Sequence, residues 1–290
     1  MTRRLYYEDA YLTDFEARVL SCRAEGGRFL IALDRSAFYP TSGGQPHDVG
    51  TLGDARVVDV CVDEAGDVVH VTDRPLEVGA QVKGRIDWAR RFDHMQQHAG
   101  DHMMAGVIHR MLDGYTVGLH VGAGDSTIDV VLPDGRMRLD EAEIREIERQ
   151  VNEQIQRDLP IRCWFPDEDE LLRLPLRKDP SVTGRIRVVM VGDVECVACG
   201  GTHPSSSGQL GVFKILDARP SRGKLRVSFV CGMRALGDYQ MKSDAAKRAA
   251  QMFSTKVELM PDAVQRLLER AKKAEVELRK LLQGKKSEQA

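Results

Sequence analysis

Two short stretches, far apart along the chain, carry the side chains that most restrict how it can fold. Cys199-Gly200-Gly201-Thr202-His203 sets a thiol and an imidazole at i and i+4, and such a pair can fill two corners of a tetrahedral metal site. His94-Met95-Gln96-Gln97-His98-Ala99-Gly100-Asp101-His102 sets three imidazoles at i, i+4 and i+8. On a helix these lie nearly in line, so either adjacent pair can chelate. Two such histidines with Cys199 and His203 make a His3Cys set suited to one Zn2+ per chain. The fold must then bring the loop against the helix. Spacing leaves His94/His98 and His98/His102 equally open.

Residues 1–88 read as β. Extended runs at 15–23 and 28–34 flank Glu25-Gly26-Gly27, and runs at 55–63 and 67–72 flank Glu64-Ala65-Gly66. A further alternating run occupies 80–88. Short strands joined by glycine turns, with almost no helical period, predict a small barrel. Between the hairpins lies Phe38-Tyr39-Pro40-Thr41-Ser42-Gly43-Gly44-Gln45-Pro46. Its glycines permit φ > 0 and close backbone approach; by itself the stretch reads as a barrel corner.

The pattern turns helical over 89–112, with Met103, Met104, Val107, Ile108 and Met111 as an apolar stripe. Strands are expected at 117–122 and 127–132. Asp140 and Glu143 fit a capping box ahead of the seam Ile144, Ile147, Val151 and Ile155. A strand at 161–165, a short helix at 167–174 and a strand at 186–191 lead into the cysteine loop. A hairpin follows at 212–216 and 225–230, turning at Pro220-Ser221-Arg222-Gly223. The expected class is α+β: a β-barrel (1–88), an α+β domain with the metal site (89–235) and a C-terminal helical arm (236–290). In the arm Val264, Ala271 and Leu278, and Leu267, Ala274 and Leu281, fall at heptad spacing, which predicts a long antiparallel arm or a homodimer seam.

Composition excludes several classes. Of the 290 residues 42% are apolar and 30% charged, which describes neither a disordered nor a fibrous chain. No run approaches a membrane span, and Met1 leads into Thr2-Arg3-Arg4-Leu5-Tyr6-Tyr7-Glu8 without the apolar core of a signal peptide, so a cytoplasmic address is expected. The six cysteines are scattered, which argues against a disulfide framework. Net charge is −2, but residues 241–290 hold twelve Lys/Arg against seven Asp/Glu. Lys272, Lys273, Arg279 and Lys280 are therefore candidates for holding a polyanion. Neither histidine stretch contains the His-Glu-x-x-His glutamate of a metalloprotease.

Several motifs together resemble a known family, the free-standing alanyl-tRNA editing proteins of AlaX type and the editing domain of alanyl-tRNA synthetase. They are His98-Ala99-Gly100-Asp101-His102-Met103-Met104, the complete Cys199-Gly200-Gly201-Thr202-His203, and Phe38-Tyr39-Pro40-Thr41-Ser42-Gly43-Gly44-Gln45. Arg90-Arg91-Phe92-Asp93-His94-Met95-Gln96-Gln97, Val117-Gly118-Leu119-His120 and Thr127-Ile128-Asp129 add to them, over residues 1–240. The resemblance implies a translation-protein-like barrel joined to the editing domain of alanyl- and threonyl-tRNA synthetases. It implies hydrolysis of tRNA(Ala) wrongly charged with serine, and with glycine in some members. The implied zinc ligands are His98, His102, Cys199 and His203. Ala99 stands where many members have Thr or Ser, and Asp101 where Thr or Gln is frequent, which bears on amino-acid specificity.

Asp101 can orient water as a base, and His120 is a second candidate catalytic group. Gly43, Gly44 and Gln45 are expected at the substrate. His94 is expected outside the ligand set, and Cys196, three before Cys199, as a free thiol. The rival reading is a catalytically silent tRNA-binding module of the same fold.

Overall fold

The computed structural model describes residues 1–180 and 183–287. The chain divides into two compact units, Met1–Ala235 and Leu236–Ala290. The strands β1 (Arg3–Arg4), β2 (Asp14–Glu25), β3 (Arg28–Leu33), β4 (Arg35–Ser36), β5 (Gly50–Leu52), β6 (Ala55–Val62), β7 (Val68–Thr72) and β8 (Gln81–Ile86) precede the first helix. Six of them close into a barrel in the order β2-β3-β7-β6-β5-β8, and β1 pairs with β4 in parallel. Alternation explains the closure: Phe15, Ala17 and Val19 are buried while Glu16 and Arg18 are exposed, so one face of each strand fills the barrel. Ile31, Leu33, Val60, Val68 and Ile86 complete that core.

Strand β5 was not expected from the sequence. It is three residues long, too short to show a period, yet it joins β6 to β8 and closes the barrel. It begins at Gly50, where a Cβ would lie 2.0 Å from the Arg85 carbonyl oxygen, so only glycine admits this approach.

Helix α1 (Trp88–Leu112) follows, capped at its start by Asp87, whose side chain accepts from the Arg90 amide. It is buried almost without a break from His94 to Ile108. Next come β9 (Tyr115–Val121), β10 (Ser126–Val131), α2 (Glu141–Gln156), β11 (Ile161–Trp164), α3 (Glu168–Arg173), β12 (Val188–Val191), β13 (Glu195–Ala198), β14 (Phe213–Ser221) and β15 (Lys224–Cys231). They form one sheet of order β14-β15-β10-β9 and another of order β11-β12-β13, both antiparallel. Helix α1 contacts α2, β9, β13 and β15, which leaves it no free face. The capping box of Asp140 and Glu143 forms on α2.

Two expectations need correcting. Strand β13 turns back from β12 and delivers Cys199 at its end. Strand β14 runs through Pro220, which pairs with Leu225. It lies at the edge of its sheet, where a missing N–H costs no ladder bond. The turn is Arg222-Gly223 alone, both at positive φ, as in a two-residue hairpin.

The buried Arg91–Asp48 pair fastens α1 to the barrel. Arg91 Nε lies 3.0 Å from both Asp48 oxygens, while Nη1 and Nη2 donate to the carbonyls of Ala10 at 2.7 Å and Ala37 at 2.6 Å. In the second unit the expected single arm is two helices, α4 (Gly232–Met252), which begins within the first unit, and α5 (Met260–Ser287). Leu267, Leu278 and Leu281 of the heptad positions are exposed. Among the described residues no helix is long and apolar enough to cross a membrane.

Candidate metal centre

The loop and the helix do meet. His98 and His102, one turn apart on α1, hold their rings 5.0 Å apart and nearly parallel, and the His203 ring lies 4.5 Å and 4.9 Å from them. Cys199 Sγ is 3.4 Å from both His98 Nε2 and His203 Nε2. One donor atom from each of the four residues lies within 4.8 Å of all the others. A tetrahedral zinc with Zn–N of about 2.0–2.1 Å and Zn–S of about 2.3 Å needs ligand atoms roughly 3.3–3.6 Å apart. His94 is buried one turn earlier and outside the cluster.

The donors are in the state a cation requires. Burial keeps His98, His102 and His203 neutral, and a proton on one would repel the others. Both ring nitrogens of His102 and Nδ1 of His203 are buried without a hydrogen-bond partner, which costs free energy; each neutral ring has one lone pair that a cation can take up. Burial also pushes the Cys199 thiol up to about 12, so by itself it would stay protonated at neutral pH; a bound cation offsets that and releases the proton. The residues present fit a zinc ion.

Gln45 reaches into this centre from the barrel. Its Oε1 accepts from the Thr202 amide at 3.2 Å and from His98 Nδ1 at 2.8 Å, while its Nε2 donates to Thr202 Oγ1 at 2.7 Å. The two bonds to Thr202 fix which amide atom is oxygen, so His98 carries its proton on Nδ1 and turns the Nε2 lone pair to the cluster. Gln45 is fully buried; contrary to expectation it orients a ligand instead of lining the substrate space. Gly44 is likewise a packing device. Its carbonyl accepts from the Val121 amide at 2.8 Å, and a Cβ there would lie 2.2 Å from Leu119 O. Gly201 has the same function, since a Cβ would lie 2.2 Å from His98 Cε1.

His98, His102 and Cys199 of the cluster form part of the wall of a cavity of about 720 Å3, to which Gly43, Asp101, Leu119, Arg177 and Arg187 also contribute. Asp101 is buried with Oδ1 unpartnered, not the solvated carboxylate its residue type would favour. Burial drives its carboxyl up to about 7, opposed by Arg177 and reinforced by Glu195. His120 is exposed on β9 and does not line the cavity, unlike its neighbour Leu119. Ala99 is also not at the site; it is fully buried in the core with Met103 and Ile128. Cys196 is buried against a separate cavity of about 410 Å3 beside Arg110 and Glu195, which excludes a Cys-x-x-Cys chelate.

Comparison with known proteins agrees with this geometry. The family described as the threonyl and alanyl tRNA synthetase second additional domain matches residues 186–228, which include the cysteine loop. The class II (A) tRNA synthetases match residues 9–90. The alanyl-tRNA editing protein AlaX-L of Pyrococcus horikoshii is 35% identical over 245 residues, or 81% of this chain and 59% of that protein. The chain is similar to the alanyl-tRNA editing proteins over most of its length. Alanine–tRNA ligases contain similar sequence: that of Pyrococcus abyssi is 37% identical over 294 residues and that of Pyrobaculum neutrophilum 38% over 292. The chain spans only 31% and 32% of those two ligases. Arg187 was not among the residues expected at the site. Its Nη1 donates to the carbonyls of Cys199 at 3.1 Å and Gly201 at 2.8 Å and so shapes the ligand loop; no motif spacing marks it. Nor was the ion pair of Arg177 with Glu195, at 2.9 Å and nearly buried.

Proposed function

We propose that the chain is an aminoacyl-tRNA deacylase that hydrolyses the ester of tRNA(Ala) wrongly charged with serine, with the glycyl ester as a second substrate. The observation that carries this reading is the four-donor cluster of His98, His102, Cys199 and His203, three of which, His98, His102 and Cys199, line a large cavity. A zinc ion held there supplies Lewis acidity and positive charge beside an ester carbonyl. Asp101, which contributes to the wall of the same cavity, accepts the proton of the attacking water. The hydroxide so formed adds to the carbonyl carbon, and the ester bond to the ribose oxygen breaks as Asp101 returns its proton to that oxygen. Gln45 and Arg187 hold His98 and the ligand loop in place, while Gly43 borders the space the aminoacyl group enters.

In this reading residues 1–88 form a barrel domain of translation-protein type and 89–235 the editing domain. Lys272, Lys273, Arg279 and Lys280 of α5 lend charge to tRNA binding, and the exposed leucines of α5 form a homodimer seam. The place of work is the cytoplasm, where charged tRNA is found. The test is Asp101→Asn assayed on Ser-tRNA(Ala) with zinc content measured alongside. A loss of about a hundredfold in kcat with zinc retained is expected. Unchanged kcat would remove Asp101 from the reaction. A wild type that binds zinc and tRNA but protects the ester would mark a silent binding module.

A further inference from the structure

The cavity that three of the metal ligands border is lined by more positive charge than the ligands need. Arg177 is neutralised by Glu195, but Lys178, Arg185 and Arg187 also line it, and Asp101 is the one carboxylate among its lining residues. Among the described residues no carboxylate lies within ion-pair distance of those three cations. Arg187 is the most telling. It is 6% exposed, and its Nε is buried without a hydrogen-bond partner. A buried guanidinium so placed calls for an anion.

Beside these cations stand flat apolar surfaces. Tyr7 and Phe165 meet edge to face with ring centroids 5.5 Å apart, the Arg185 guanidinium lies 4.4 Å from the Phe165 centroid, and that of Arg187 lies 5.1 Å from the Tyr7 centroid. Both rings remain half-buried. Half-buried aromatic rings with guanidinium groups beside them suit a flat, polarisable group attached to a negative charge, which is the chemistry of a nucleotide. A purely acidic peptide would use the cations and leave the rings idle. The surface is also close to the metal ligands: a Cβ on Gly200, next to Cys199, would stand 3.4 Å from the Tyr7 hydroxyl. A base seated there puts its own ribose beside the metal cluster.

We propose that Phe165 and Tyr7, with Arg185, form a stacking site for the terminal nucleobase of an RNA 3′ end, whose adjoining phosphate is met by Arg187 and Lys178. This rests on the deacylase reading for the identity of the substrate, but its test does not need the ester to be cleaved. The probe is an uncharged acceptor-stem hairpin with a single-stranded 3′ tail, labelled at its loop, in two forms: complete, and lacking only the terminal base. Binding is measured by fluorescence anisotropy on the zinc-loaded protein for the wild type, Phe165→Ala and Phe165→Trp.

The wild type is expected to bind the complete hairpin roughly tenfold more tightly than the abasic one. Phe165→Ala binds both as weakly as the wild type binds the abasic form, and Phe165→Trp restores the preference. Equal wild-type affinity for the two hairpins, or a preference that survives in Phe165→Ala, overturns the proposal. Charging the same hairpin with serine reads the other question separately. Base preference with an intact ester would remove the deacylase and keep the stacking site; cleavage without base preference would do the reverse.

Discussion

The two glycines of the ligand loop have different functions, and substitution should separate them. At Gly201 a methyl group would stand 2.2 Å from the His98 ring, whereas at Gly200 the nearest atom is the Tyr7 hydroxyl at 3.4 Å, and neither glycine has positive φ. Gly201→Ala must push His98 off Gln45, and disturbing such an outer partner weakens metal binding by about 10–100-fold. Gly200→Ala should bind zinc within about threefold of the wild type, since ordinary contact distance is preserved. Competition against a chromophoric chelator measures both; equal losses would contradict this account of the loop. Of the site itself, His98, His102, Cys199 and His203 were legible because ligand chemistry imposes spacing on sequence. The choice between the histidine pairs was not, because His94 satisfies the same spacing and only packing removes it. Gln45 was noticed as part of a glycine motif, but its bond to His98 crosses from barrel to helix, and no local pattern records such a contact.

At the scale of elements, α1, α2 and most barrel strands were legible from period and capping. The strands that were missed are short: β1 and β4 have two residues, β5 three and β13 four, at or below the shortest run in which alternation can be read. On β9 the alternation itself misleads. Val117 and Leu119 line the cavity and Tyr115 is exposed, so apolar residues there do not mark the core, and His120 could not be assigned to a face. Strand β7 carries a different consequence. His70 is fully buried in the barrel, donating through Nδ1 to Ile31 O at 3.1 Å and accepting at Nε2 from Ser36 Oγ at 2.7 Å. Burial lowers it to about 4, from 6.5. The unfolded chain therefore takes up this proton first as pH falls below 6.5, and stability is lost between there and pH 4. The expected loss at pH 5, relative to pH 7.5, is about 2 kcal/mol from this group. The difference between wild type and His70→Gln in urea denaturation at the two pH values isolates it from the metal-site histidines. A difference that does not change with pH would contradict the assignment.

For the whole molecule, the barrel and the metal-binding elements fall within one compact unit. The Arg91–Asp48 pair and the Gln45–Thr202 bonds are among the ties between them. Removing one partner of a buried ion pair costs about 3–5 kcal/mol, so Asp48→Ala should lower the stability of barrel and metal-binding elements together. Coincident unfolding by tryptophan fluorescence, from Trp88 and Trp164 together, and by far-UV signal, shifted as one transition, is the expected result; a barrel that melts alone would break the account. This dependence also explains why reading the sequence as separate segments understated the barrel's part in the site. The central claim is that a zinc ion in the His98, His102, Cys199 and His203 cluster supports selective hydrolysis of Ser-tRNA(Ala). The most direct measurement is release of serine from Ser-tRNA(Ala) and of alanine from Ala-tRNA(Ala) by protein stripped of metal with a chelator and then titrated with zinc. The account predicts that serine release rises with zinc to a plateau at one ion per chain while Ala-tRNA(Ala) survives. Serine release by metal-free protein, or a zinc-saturated protein that leaves Ser-tRNA(Ala) intact, would contradict it.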